Sequence, residues 1–147
     1  MTHLDPTGRQ PDDQADEPAA ALAQDLRTFA GEAAEAIRSL NHLTVAAPTL
    51  PAPEVYLILE RLERLGYGLA QGIRQLGVGL QRSLDAYDVT QDDGTDPADA
   101  VDRCVFELLQ AVADATDLGV RIGRGRAAIA GQGHLGRIPT ITPIDED

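Results

Sequence analysis

Two glutamates, Glu32 and Glu35, stand one helical turn apart at i,i+3. That spacing could seed a carboxylate-bridged metal site of the ferritin-like kind. Such a site also needs a Glu-x-x-His pair on each of two helices, and the chain has no Glu-x-x-His. The pair is therefore read as a solvated face. A histidine base needs a partner to orient it, and none is legible for His3, His42 or His134. Cys104 falls on the apolar side of its segment, where a free thiol behaves as a small hydrophobe. Arg121, Arg124, Arg126 and Arg137 could hold phosphate, but they alternate with acids and equally match a helix C-terminus. There is no Gly-rich phosphate loop with Lys, no nucleophile elbow and no metal-spaced Cys/His set. No catalytic, cofactor-binding or metal-ligating residue is expected, and the chain is read as not an enzyme.

The elements around these residues are more legible than their chemistry. The 147 residues fit one domain. Aromatics make up 3% and Trp is absent, so a core must come from Leu, Ile, Val and Ala. Such a core suits helix-on-helix packing better than strands. No apolar run approaches the roughly 18 residues of a membrane span. The N-terminal stretch has no apolar core or basic lead-in, so no secretory signal is expected. With a single cysteine, the chain reads as cytoplasmic.

Net charge is −12, and every basic residue is Arg. The acidity gathers in residues 1–17 and 89–100, each −4, while residues 18–47 and 48–88 are each −1 and residues 101–130 are neutral. This pattern argues against an acidic helical mimic of DNA. It argues equally against a basic footprint for binding DNA directly.

The spacing predicts three helices. Residues 1–17 are polar, acidic and proline-bearing, and are expected to be disordered. Helix one is expected over about 18–46, with Pro18 in its first turn. Leu22, Leu26, Phe29, Ala33, Ala36, Leu40 and Leu43 recur at alternating steps of four and three, a heptad seam. Prolines at 48, 51 and 53 form a stiff connector. Helix two is expected over 53–87 on a stripe that includes Leu65, Leu69, Leu76 and Leu80. An acidic turn-rich loop follows. Helix three is expected over 97–130, with Thr95 or Asp96 as cap and Pro97 in the first helical position. Residues 132–147 are expected to be disordered. The expected fold is all-α, an elongated up-down-up antiparallel three-helix bundle spanning 18–131.

Helix two carries an unusual load of glycine, each costing about 1 kcal/mol against Ala in a helix interior. Gly68, Gly72, Gly79 and Ser83 line one shoulder of the Leu stripe, and Gly66, Ala70 and Gly77 line the other. Close packing on both shoulders is the expected compensation; a hinge or a ligand pocket is the alternative. Gly68, Gly72, Gly79, Ser83, Leu69 and Leu76 are thus the expected packing or interface residues. Tyr67 and Val78 break the polar face of the same helix, and with Arg121, Arg124 and Arg126 they form the candidate partner surface.

Three stretches carry a family resemblance: AEAIRSLNHLT in helix one, PEVYLILERLERL opening helix two, and DDGTDPADAV leading into helix three. Over residues 20–130 the chain resembles small uncharacterised helical proteins of actinobacterial integrative and conjugative elements. The resemblance implies a cytoplasmic accessory of a mobile element. That group has no settled activity, so no functional residue carries over. The expected function is a non-catalytic helical module that self-associates or docks on a protein partner. An accessory factor of a DNA-processing or DNA-transfer complex is the alternative, and an apolar-ligand carrier a third reading. No membrane and no cofactor are expected.

Overall fold

The computed structural model describes residues 12–46, 49–133 and 135–136. Among these there are three helices, α1 (Asp12–Ala46), α2 (Ala52–Ala86) and α3 (Pro97–Ala128), and no strand. The fold class is all-α, as the spacing predicted. Of the ends expected to be disordered, residues 1–11, 134 and 137–147 lie outside the described residues. The chain divides into two compact units, Met1–Thr49 and Leu50–Asp147.

In the first unit, α1 begins at Asp12, inside the stretch expected to be unstructured, so Pro18 lies within the helix. The acids that suggested a solvated tail are also the residues a helix N-terminus attracts, because its exposed N–H groups carry partial positive charge. Among the described residues of this unit nothing covers the heptad seam. Leu22, Leu26, Phe29 and Leu43 are all at least half exposed.

In the second unit, α2 runs unbroken through all its glycines. It starts after Pro51, with Ala52 and Pro53 in the first turn, and ends where the Tyr87 N–H donates to the Ser83 carbonyl at 2.9 Å. The loop that follows is tied by Asp93, which accepts from the Thr95 hydroxyl at 2.7 Å and the Thr95 N–H at 3.0 Å. The Asp96 carboxylate then accepts the Ala98 N–H at 2.9 Å and caps α3, with Pro97 in the first helical position. Between the two candidate caps the side chain of Asp96 does the work.

α2 and α3 pack as antiparallel members of a bundle. Gly66 lies at Gly119 and Gly77 at Leu108, so contacts advance on α2 as they retreat on α3. Their core is thin: Ala70, Val112 and Ala115 are buried together with Ile73 packed against them, and Val101 is buried further along. No large side chain among the described residues is fully enclosed.

Within the α2–α3 unit only one of the two glycine shoulders is packed. A Cβ on Gly66 would stand 2.9 Å from the Gly119 nitrogen and 3.1 Å from the Ala115 carbonyl oxygen. Only this shoulder, Gly66, Ala70 and Gly77, is buried. Among the described residues, nothing beyond the nearby backbone of α2 itself approaches within 4 Å of where a Cβ on Gly68, Gly72 or Gly79 would be. Leu69 and Leu76 are 49% and 59% exposed, and Ser83 is half-buried. The physical reason is directional. At about 100° per residue the two shoulders point well apart, and α3 can occupy only one of them.

Candidate interaction surfaces

One polar cluster joins α2 to α3. Arg126 donates from Nε to Glu63 Oε2 at 2.9 Å and from a terminal nitrogen to the Tyr56 hydroxyl at 2.9 Å. Its guanidinium also lies 5.0 Å from the centre of the Tyr56 ring, within cation–π range. Partial burial works against the charge, but the attraction of Glu63, followed by Tyr56 and Glu60, outweighs it and holds the guanidinium above its ordinary value. Glu63 reaches this position by lying over Gly123, where a Cβ would stand 2.7 Å from its Oε1. Tyr67 covers Gly119, whose Cβ would stand 3.2 Å from the ring. These contacts position one helix on the other.

The late arginines therefore do not form one surface. Arg126 is turned between the helices. Arg121 is exposed but paired with Asp117 at 2.6 Å, which raises its own affinity for the proton. Arg124 is exposed, and Arg137 lies outside the described residues. Tyr67, expected on a partner surface, spends one side of its ring on Gly119 and remains 43% exposed.

Val78 lines a shallow apolar groove of about 150 Å³ with Ile73, Val105, Leu108 and Leu109, framed by Arg74 and Gln81. Cys104, expected to pack as a small hydrophobe, is exposed. On α1, Glu35 pairs with Arg38 at 3.2 Å and His42 is exposed. Among the described residues no three His, Cys, Asp or Glu side chains are placed to share a metal ion. No helix among them is long and apolar enough to cross a membrane.

What the unit does present is open apolar side chain. Leu65, Leu69 and Leu76 on α2, and Phe106, Leu109 and Leu118 on α3, are 41–60% exposed. Comparison with protein-family models, curated proteins and solved structures gives no match to this chain.

Proposed function

We propose that this chain is a non-catalytic helical interaction module that assembles with itself or docks on a protein partner through apolar helix faces. The observation that carries the reading is the imbalance in the α2–α3 hairpin. Its buried hydrophobic core consists of Ala70, Val101, Val112 and Ala115, while nine large apolar side chains on the same two helices, six of them leucines, stay open. Apolar surface left in water is unfavourable in proportion to its area, at about 25 cal/mol per Å², and contiguous exposed patches mark interaction sites. Nothing comparable supports a reaction: among the described residues the polar side chains that meet across α2 and α3, Glu63, Arg126 and Tyr56, satisfy one another. Light scattering coupled to size exclusion tests the reading. A dimer or larger species is expected. A monomer at tens of micromolar that also captures no protein partner would overturn it.

A further inference from the structure

Which face assembles, and with what, can be taken one step further. Because Gly66, Ala70 and Gly77 point at α3, helical pitch fixes where the other residues of α2 face. At about 100° per residue, Leu65, Leu69 and Leu76 turn to one side of that contact. In an antiparallel right-handed pair the same side of α3 carries Cys104, Leu118 and Ile122. The opposite side is marked independently by the groove that Val78 of α2 shares with Leu109 of α3, with Arg74 and Gln81 at its rim. The hairpin thus has a polar-rimmed side and a side whose centre is leucine.

We infer that the leucine side of the α2–α3 hairpin is the contact between two copies of this chain, each seating its hairpin on the other's. The inference rests on the assembly reading above and names its surface and partner. Three observations select a second copy. First, charge does not oppose it: α2 has four acids and four arginines and α3 five acids and four arginines, whereas α1 has seven acids and two arginines. The two packed helices thus carry almost no net charge, and the hairpin's four further acids, Asp88, Asp92, Asp93 and Asp96, lie in the loop at one end, whereas the acids of α1 lie on the helix itself. Second, the leucines supply close to half of the area a dimer needs, and the flanking residues must supply the rest. Leu65, Leu69, Leu76 and Leu118 are 41–59% exposed, which opens roughly 350 Å² of apolar side chain per copy before flanking residues are added. A stable dimer needs about 800 Å² per partner. Third, a twofold contact must match its own surface. Here a leucine ridge runs beside the open backbone of Gly72 and Gly79, which have nothing within 4 Å, so ridge and shallow trough lie together on one helix.

The test uses the full chain and follows its mass by light scattering over about a hundredfold range of concentration. Leu69→Glu/Leu76→Glu is expected to raise the apparent Kd on the order of 100-fold with helical circular dichroism unchanged, because both side chains are already exposed. Leu109→Glu, on the other side, is expected to leave it unchanged. In the wild type, labelling of Cys104 by a thiol reagent should slow as the dimer forms. If the double variant assembles like the wild type while Phe29→Glu in α1 dissolves the assembly, the surface is wrong and the assembly reading stands. If the wild type is monomeric throughout, this inference fails, and the assembly reading fails with it only when no protein partner is captured either. Should the double variant lose helicity, unslowed labelling of Cys104 in the assembled wild type would overturn the inference.

Discussion

Gly66 and Gly119 meet backbone to backbone, with the space for a Gly66 Cβ only 3.0 Å from the Gly119 Cα. A methyl group there has to push α2 and α3 apart, since what it meets is main chain and not the end of a flexible side chain. Gly66→Ala is expected to destabilise the hairpin by about 1–3 kcal/mol, read as a lower midpoint in urea melts. An unchanged midpoint would show that the helices do not approach this closely.

Gly68 and Gly79 should behave in the opposite sense. Both are exposed positions inside α2 with no neighbour within 4 Å. Ala in place of Gly restricts the unfolded chain and improves helix propensity, so each substitution is expected to stabilise by about 0.5–1 kcal/mol. Urea melts in dilute solution, where assembly contributes least, would measure it; a loss of stability at both sites would revive the idea that a helix presses there.

The Glu63–Arg126–Tyr56 cluster spans two helices, so its loss should be felt by both. Arg126→Ala leaves the Glu63 carboxylate without its cation, and Glu63→Gln keeps the shape but not the charge. Both are expected to lower Tm, Arg126→Ala more. The guanidinium is held above its ordinary value, chiefly by the charge of Glu63. A raised folded value means the contribution is complete below the ordinary value and lost only as pH rises through the folded one. The Tm difference between Arg126→Ala and wild type should therefore stay constant between pH 6 and 9. A difference that vanished at the alkaline end would contradict this.

Asp93 has the reverse sign. Hydrogen bonds from Thr95, first its hydroxyl and then its N–H, hold the carboxyl below its ordinary value of 3.8. The stabilisation is complete above that ordinary value and disappears as pH falls through the lower folded one. Thr95→Val removes the hydroxyl and should return the Asp93 titration toward 3.8, followed by side-chain NMR shifts. A titration indifferent to Thr95→Val would remove the loop contact from consideration.

At the start of α3, Asp96→Ala removes the acceptor of the Ala98 N–H. Loss of a helix cap costs about 1 kcal/mol, and thermal melts should show it. Asn at the same position should recover most of the loss, because its side-chain oxygen can accept the same bond.

The elements were legible because each has a local cause. Alternating steps of four and three can lie on one side only of a helix, and Asp96-Pro97 is a start signal complete in itself. The pairing of α2 with α3 has no local cause. Gly66-Ala70-Gly77 and Gly68-Gly72-Gly79 have similar spacing, so the sequence offers two equivalent shoulders, and the choice depends on what α3 brings. A signal existed on α3: Gly119 and Gly123 repeat at i,i+4 and match the Gly66 side. Arg126 offered another. It occupies a seam position among Ile122 and Ile129, and a charge in a seam requires a counter-ion on the neighbouring helix. Glu63 is the α2 acid that meets it.

The contact between Gly66 and Gly119 also limits how this sequence can drift. In most packed interfaces a gain of volume on one side can be absorbed by a loss on the other, and the pair changes together. Here both partners already carry the smallest side chain available. Neither has anything left to give up, so a larger residue at either position has no compensating change at the other. The two sites must stay glycine independently, or the hairpin must widen as a whole.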